Sequence, residues 1–237
     1  MPTYNRFPYQ RHLVDESVHS FLIQDVDEDT ELLIINDCPC QKLELEDPRV
    51  RIFNVDHRFD NLCAKIKYAI EVARGDKLCR WDDDDISLPH RLRYSVKKLG
   101  DNLEWRSDNY FWTDRHKSGE LVHRPGNTHT MSIWRRDLLE KIGGYPDNMS
   151  TGEDQRFNQL LARHGVNETG EDIPAAEIFY IYRWGASPTH LSAAGEDNLG
   201  WERIGSRNTI PGAYVINPTW YNDYVALVNE WAMAAPR

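Results

Sequence analysis

The chain has 237 residues, a formal net charge of −10 and 40% hydrophobic residues, with a mean hydropathy of −0.67. These values predict one α/β domain, or one domain with a modest appendage, that is long enough to bury a full core. The negative charge argues against general affinity for nucleic acid or anionic membranes, because counterion release needs clustered Lys and Arg. No apolar run approaches the roughly 20 residues that span a bilayer, and the start has no secretory signal pattern, so we expect a cytoplasmic protein without stable membrane insertion.

The first part of the chain alternates between predicted helices and strands. Apolar spacing predicts helices over residues 13–22 and 61–74, the second closed by Gly75, and apolar runs predict strands over residues 31–37, 50–55 and 77–81. The run 31–37 is continuously apolar and ends in polar residues, which is typical of a parallel strand covered on both faces. Alternating strands and helices predict a doubly wound, mostly parallel sheet with helices on both faces.

Four consecutive carboxylates, Asp82–Asp85, follow the last of these strands. In open α/β sheets, ligands bind at the carboxyl edge of the strands, and clustered carboxylates there suit magnesium or manganese that also holds substrate phosphates. The alternative is a solvated acidic loop in which Asp85 caps a following helix. Asp37 ends the strand 31–37 and is expected at the same edge, with a helix or turn cap after the strand as the alternative.

The second part of the chain is less regular. Residues 103–112 and 116–124 predict a hairpin around Lys117-Ser118-Gly119, residues 131–142 a strand and then a helix, and residues 150–165 another helix. Residues 178–184 form an aromatic strand-like run. The last segment has helical spacing at Leu227 and Val228, and its aromatic residues are expected to pack onto the domain: Trp201, Trp220, Tyr221, Tyr224 and Trp231.

The four cysteines are expected to be free thiols. They are Cys38, Cys40, Cys63 and Cys79, in or near elements that should be buried. The spacing of Cys38-Pro39-Cys40 fits neither a zinc knuckle nor a thioredoxin-type motif.

Several short motifs in a fixed order resemble family-2 glycosyltransferases of the GT-A fold. They are Pro2-Thr3-Tyr4-Asn5-Arg6, Leu33-Ile34-Ile35-Asn36-Asp37, Ala69-Ile70 with Ala73-Arg74-Gly75-Asp76, Asp82-Asp83-Asp84-Asp85 with Pro89, Gly143-Gly144-Tyr145 and Gly152-Glu153-Asp154. The resemblance covers roughly residues 1 to 165, and the joint order is more specific than any single motif. It implies an enzyme that moves a sugar from a nucleotide-diphosphate donor, with a UDP-sugar preferred, to an acceptor hydroxyl with a divalent cation, manganese or magnesium.

The resemblance assigns roles to individual residues. Asp82 and Asp84 match the two acids of the Asp-x-Asp motif that holds the metal on the donor phosphates, with Asp84 as the first choice of ligand, and Asp83 lies between them in the donor site. Asp37 matches the acid that reads the base. Thr3 and Tyr4 would line the nucleoside pocket, and Lys65 and Lys67 are candidates to face the diphosphate, although either could be a solvated helix residue.

The acceptor side follows from the same resemblance. Asp154 matches the proposed general base, with Glu153 beside it, although acids at a helix start also cap free N–H groups. His190 is a candidate metal or phosphate contact, with a solvated loop histidine as the alternative. A single base opposite the diphosphate implies an inverting displacement.

The order of these motifs along the chain divides it into three parts. We expect a nucleotide-sugar-binding half over 1–100, an acceptor-binding half over 101–190 and an aromatic-rich C-terminal extension over 191–237.

This chain departs from the family pattern in three places. The apolar residues that usually precede Pro2-Thr3-Tyr4-Asn5 are replaced by Met1 alone, Asn36-Asp37 stands where the family usually has two acids, and Arg80 places a charge in a strand that is usually apolar. We expect Arg80 to pair with one of the four Asp residues.

Two hypotheses of function follow. One is a metal-dependent, hexosyltransferase-type enzyme, and the other is a catalytically silent nucleotide-sugar or metal-binding module of the same fold. A nucleotidyltransferase is a weaker alternative, since the chain lacks a glycine-rich basic loop for a triphosphate. The acceptor stays open between a glycan, a lipid-linked sugar, a small molecule, a protein and a modified nucleic-acid base.

Overall fold

A computed structural model describes residues 1–27, 29–114, 120–126, 129–149, 151–166, 170–186 and 200–234. The helices are α1 Arg11–Leu22, α2 Leu62–Val72, α3 Arg91–Leu99, α4 Arg136–Ile142, α5 Glu153–Arg163, α6 Gly200–Gly205 and α7 Tyr224–Ala234. The predicted helices in the first part are confirmed, with ends that agree to within two residues. Asn61 begins α2 because its side-chain oxygen accepts from the Ala64 N–H at 2.9 Å.

The strands are β1 Pro2–Thr3, β2 Leu32–Asn36, β3 Gln41–Glu44, β4 Val50–Asn54, β5 Lys77–Cys79, β6 Ile86–Ser87, β7 Glu104–Ser107, β8 Asn109–Asp114, β9 Val122–Pro125, β10 Ile133–Arg135, β11 Gly170–Glu171, β12 Tyr180–Trp184 and β13 Gly212–Val215. The predicted hairpin is present as the antiparallel pair β8 and β9. The residues of its expected turn, 117–119, lie outside the described residues.

A parallel sheet with the order β1-β2-β4 lies in the first half of the chain. Pro2 lies opposite Ile35, and β2 and β4 pair from Leu32 with Val50 to Asn36 with Asn54. All five residues of β2 are buried, as its continuously apolar sequence predicts for a strand covered on both faces.

Two mixed sheets form the second half. Their orders are β11-β7-β10-β5 and β6-β12-β8-β9, in which β10 is antiparallel to both of its neighbours and β12 is parallel to β8. The predicted mostly parallel, doubly wound α/β class is confirmed at the level of a mixed α/β fold with helices packed on its sheets.

The C-terminal region folds back onto the first half. Strand β13 pairs in parallel with β3, from Gly212 opposite Gln41 to Val215 opposite Glu44. Helix α7 contributes Tyr224 and Val228 to the core that surrounds β8 and β12. None of the described helices combines the length and the apolar run that crossing a membrane requires.

Candidate active site

The four carboxylates Asp82–Asp85 follow β5, and most of them are buried. Asp83 is 5%, Asp84 6% and Asp85 4% exposed. The Arg6 guanidinium donates to both oxygens of Asp83, at 2.8 and 2.6 Å, and to Asp84 Oδ2 at 2.9 Å. Burial opposes the charge of Arg6, but the two carboxylates outweigh it and raise the pKa of Arg6. The acidic run is therefore a buried ion-pair network and not the solvated loop of the alternative hypothesis.

Asp82 is the most accessible carboxylate of the run, with 23% of its side chain exposed. Arg80 Nη2 donates to its Oδ1 at 3.2 Å and the Thr130 hydroxyl to its Oδ2 at 2.6 Å. Burial acts to raise the pKa of Asp82, but Arg80 and Thr130 outweigh it and lower that pKa. Glu153 lies on the other side of Arg80, at 3.6 Å, and burial raises its pKa. The expected pairing of Arg80 with the acidic run is confirmed.

Asp85 does not cap the following helix. Its Oδ2 accepts from the Tyr180 hydroxyl at 2.5 Å and its Oδ1 from the Arg183 N–H at 2.7 Å, both on β12. Burial, followed by repulsion from Asp84 and Asp82, raises the pKa of Asp85 well above its ordinary value. Strand β6 begins immediately after Asp85, so the helix that Asp85 could have capped starts only at Arg91.

Asp37 lies at the end of β2 and is fully buried. Lys65 Nζ donates to Asp37 Oδ1 at 2.6 Å and to the Thr3 carbonyl at 2.6 Å, and the Phe59 N–H donates to Asp37 Oδ2 at 3.2 Å. Burial lowers the pKa of Lys65, while the carboxylates of Asp37 and Asp83 act in the opposite direction. Lys65 therefore links the end of β1 to the end of β2 and interacts electrostatically with Asp83.

Aromatic and basic side chains cover this end of the sheet. The Arg58 guanidinium lies between the Tyr4 ring, 4.2 Å from its centroid, and the Trp201 ring, 4.4 Å from its centroid. Arg58 also donates to the Trp201 carbonyl at 2.6 Å, and the Tyr4 hydroxyl lies 3.4 Å from the Gly205 carbonyl. Tyr4 is half-buried in this stack, so α6 of the C-terminal region closes over the residues that follow β1.

The remaining candidate residues lie apart from this network or outside the described chain. Lys67 forms a short, exposed ion pair with Asp147. Asp154 lies at the start of α5, where its Oδ1 accepts from the Gln155 N–H at 2.8 Å. The neighbouring Glu153 side chain is 12% exposed, and its Oε1 lies 3.6 Å from Arg80 Nη1. His190 lies outside the described residues.

The chemistry of the acidic run fits a divalent cation that is only partly held by protein. Within the described ranges, no group of three or more His, Cys, Asp or Glu side chains is arranged to hold a metal. Asp82 and Asp84 supply hard oxygens, and burial, followed by repulsion from these two carboxylates, raises the pKa of Asp85. Magnesium and manganese commonly complete their coordination with water and substrate phosphates.

Four residues contact the candidate residues without a role predicted from the sequence: Arg6, Arg183, Thr130 and Arg58. Arg6 directly follows the Thr3-Tyr4-Asn5 motif, so its position was the available signal. Asn5 has a φ of 51°, in the left-handed region, and this turn directs the chain after β1 across the acidic run. For Thr130, Arg183 and Arg58 the sequence holds no local signal, because each reaches the site by tertiary packing.

One family model matches the chain. It is described as "Glycosyl transferase family 2" and covers residues 1–104, which is less than half of the chain. The match includes β1, Asp37, Lys65 and the acidic run. No curated protein matches the chain.

Solved structures share the fold at low sequence identity. The crystal structure of S. aureus TarS 1–349 in complex with UDP-GlcNAc has a TM-score of 0.53 and 14% identity, over 88% of this chain and 60% of that one. Mannosyltransferase PcManGT from Pyrobaculum calidifontis, in complex with GDP-Man and Mn²⁺, has a TM-score of 0.50 and 16% identity, over 86% of this chain and 59% of that one. The chain thus spans about 60% of the length of these proteins, and the likeness establishes a shared fold.

Proposed function

We propose that this protein is a glycosyltransferase. The chain has the GT-A fold, and its residues 1–104 match the glycosyl transferase family 2 model. It moves a sugar from a nucleotide-diphosphate donor, with a UDP-sugar preferred, to an acceptor hydroxyl. The observation that carries the proposal is that Lys65 donates to Asp37 at the end of β2 and lies near Asp83 of the acidic run that follows β5. Neighbours of the fold bind UDP-GlcNAc or GDP-Man, which supports a nucleotide-sugar donor.

The donor would bind with its nucleoside over Thr3, Tyr4 and Asp37. In this proposal the Asp37 carboxylate accepts from the base, and Lys65 fixes the orientation of that carboxylate through the bond of 2.6 Å. The diphosphate would lie toward Asp82 and Asp83. Lys67 would reach it only by leaving its exposed pair with Asp147, so Lys65 is the better placed of the two lysines.

Asp82 and Asp84 would hold manganese or magnesium, which supplies positive charge against the leaving nucleoside diphosphate when it is bound. Arg6 and Arg80 fix these carboxylates, and their own charges add to the positive field near the phosphates. His190 stays a candidate contact. The preorganised network means that the carboxylates need little movement before the donor binds.

The acceptor proton would go to a carboxylate at the start of α5. Asp154 is the general base of this proposal, and Glu153, held by Arg80, would orient the helix start and share the negative charge near the acceptor. One base opposite the diphosphate gives an in-line displacement that inverts the anomeric carbon. The acceptor itself stays open between a glycan, a small molecule and a modified nucleic-acid base.

The test is nucleotide release from a panel of UDP- and GDP-sugars with manganese, magnesium or chelator, together with thermal shift of the same mixtures. If the protein is an enzyme, nucleotide release should require the cation and should be lost in Asp84→Asn. If the protein is a catalytically silent binding module, a donor should shift its thermal unfolding without nucleotide release. Neither shift nor release with any donor would reject both. Arg93→Met, in an exposed ion pair with Asp25, is the matched control that should keep full activity.

A further inference from the structure

Two cysteines lie one residue apart in the turn that follows β2. Cys38 and Cys40 flank Pro39, and the Gln41 N–H donates to the Cys38 carbonyl at 3.0 Å, which closes a β-turn over residues 38–41. Both cysteines are free thiols. Their sulfur atoms are 3.7 Å apart, and a disulfide has a sulfur–sulfur distance of about 2.05 Å. The sulfurs therefore need only a small approach to form a bond.

The backbone of this turn suits a disulfide. Consecutive Cα atoms are about 3.8 Å apart, so Cα atoms two residues apart are separated by at most about 7.6 Å, and a turn brings them closer. Disulfides usually have Cα separations of about 4.4–6.8 Å. Pro39 occupies the second position of the turn, where proline is favoured because its fixed φ matches that position. The turn therefore holds the two cysteines together before any bond forms.

The two thiols differ in their access to solvent. Cys38 is fully buried, whereas Cys40 is partly exposed. Burial, followed by the neighbouring Cys40, raises the pKa of the Cys38 thiol to about 12, so this thiol stays protonated at neutral pH and reacts poorly by itself. An oxidant from solution therefore reaches Cys40 first, and Cys38 is the thiol that lies beside the oxidised Cys40.

The two sulfurs also contact other segments of the chain. The Asn5 backbone N–H hydrogen-bonds to the Cys38 sulfur, and the Cys40 thiol donates to the Thr209 hydroxyl at 3.1 Å. Asn5 directly follows Tyr4, and Cys38 directly follows Asp37. The pair therefore adjoins the proposed nucleoside site, and approach of the sulfurs changes at least one of these contacts.

We propose that Cys38 and Cys40 form a reversible redox site, which peroxide oxidises to an intramolecular disulfide and a dithiol reduces again. The Cys40 thiolate attacks one oxygen of the peroxide, the O–O bond breaks, and the hydroxide that leaves takes up the Cys40 proton to give water. The Cys38 sulfur then attacks the sulfur of the Cys40 sulfenic acid. The S–S bond forms as the S–O bond breaks, and the second hydroxide takes up the Cys38 proton to give water.

The balance of this reaction is one disulfide and two molecules of water from two thiols and one hydrogen peroxide. The thiols lose two electrons, and the peroxide gains them. A disulfide that closes so short a loop gains little from chain entropy, so a dithiol reduces it readily. The site is therefore suited to reversible oxidation and not to permanent stabilisation of the fold.

The test treats the reduced protein with hydrogen peroxide, alkylates the remaining thiols after unfolding and measures the peptides from cleavage at lysine by mass spectrometry. Peptide 1–42 contains both cysteines of the pair, whereas Cys63 and Cys79 lie in peptides 43–65 and 78–97. We expect peptide 1–42 to lose two hydrogen atoms and both alkylation sites, and dithiothreitol to restore the sites. Its oxidation should be about tenfold faster than that of the partly exposed Cys79, because the adjacent sulfur traps the oxidised thiol.

Cys40→Ser is the matched control, because serine keeps a hydroxyl that can donate to Thr209 and removes one sulfur. Its peptide 1–42 should carry one alkylation site both before and after peroxide. Two outcomes with the original chain would overturn the proposal. They are a peptide 1–42 that keeps both alkylation sites or gains oxygen without losing two hydrogen atoms, and a disulfide that links two chains.

The effect of oxidation on the candidate site rests on the proposed function and is measured separately, by calorimetry with UDP. We expect the oxidised chain to bind UDP on the order of tenfold more weakly than the reduced chain, because the segment beside Asp37 has changed. Peroxide should not change the UDP affinity of Cys40→Ser. Equal affinity of the oxidised and reduced chains would overturn this effect. If neither chain binds UDP, the proposal of a uridine donor fails, whereas the disulfide measured by mass stands.

Discussion

Arg6→Met should be one of the most destabilising single changes in the acidic network. The side chains of Asp83 and Asp84 are 7% and 8% exposed, and Arg6 supplies both with charge-assisted hydrogen bonds of 2.6–2.9 Å. Methionine keeps the length of the stem but leaves two buried carboxylates without this cation. Removing one partner of a buried ion pair costs about 3–5 kcal/mol, which corresponds to a loss of about 6–20 °C in Tm for a chain of this size.

Urea unfolding followed by far-ultraviolet circular dichroism measures this cost. Arg93→Met is the control, because both side chains of its ion pair are about half exposed (55% and 50%) and such pairs contribute about 0–1 kcal/mol. Replacing Asp83 and Asp84 by Asn in the Arg6→Met chain should recover much of the loss, since neutral amides remove the buried charge. If Arg6→Met costs no more than Arg93→Met, the network does not stabilise the fold and the reasoning fails.

Three further predictions concern other groups. Asp37→Ala should lower the free energy of unfolding in urea by about 3–5 kcal/mol, because it leaves Lys65 buried and charged. Adding Lys65→Met should recover most of that stability. The affinity for a uridine donor, measured by calorimetry, should fall in both chains. His129 is buried and its pKa is lowered well below 6.5 by burial. The unfolded chain therefore binds the proton as pH falls below about 6.5 and the folded chain does not, so stability should fall between pH 7.5 and 5.5, and His129→Asn should flatten that fall. Asp154→Asn should lower kcat by about 10²–10⁴ with donor affinity kept, and proton NMR of the product from an α-linked donor should show a β-linkage, whereas a retained α-linkage would remove Asp154 from its role.

The elements that the sequence predicted well are those whose signal is local. Strand β2 lies within a continuous apolar run, and α2 begins at an Asn cap and carries apolar residues at helical spacing. The end of β5 was predicted two residues too late, at Trp81 and not at Cys79. Trp81 is apolar, so periodicity extends the strand through it, but its indole N–H donates to the Ser17 carbonyl of α1 at 3.1 Å.

The sequence could not predict the pairing of β13 with β3. About 170 residues separate Gln41 from Gly212, and neither segment has a pattern that identifies the other as its neighbour. The same limit applies to Arg58, since its stack depends on Tyr4 and on Trp201, which lies 143 residues away.

The acidic run shows why residue type was predictable here and partnership was not. Four adjacent carboxylates require counter-charges on physical grounds alone, and Arg80 was identified because it is close in sequence. The remaining counter-charges come from Arg6 and Arg183, which are 77 residues before Asp83 and 98 residues after Asp85. Such partners become visible only when the chain is folded.

Arg183 connects the C-terminal region to the candidate site. Its Nε donates to the Asp84 carbonyl at 2.5 Å, its Nη1 forms a short ion pair with Glu16 of α1, and the same Nη1 lies 3.3 Å from the Tyr224 hydroxyl of α7. Tyr224 in turn donates to Glu16 at 2.9 Å. A hydrogen-bond network that includes the first turn of α7 therefore contacts the backbone of the acidic run. Arg183 lies beyond the family match at 1–104 and fixes the main chain of the loop on which the proposed chemistry depends. Arg6 and Arg80 fix the carboxylates of the same loop.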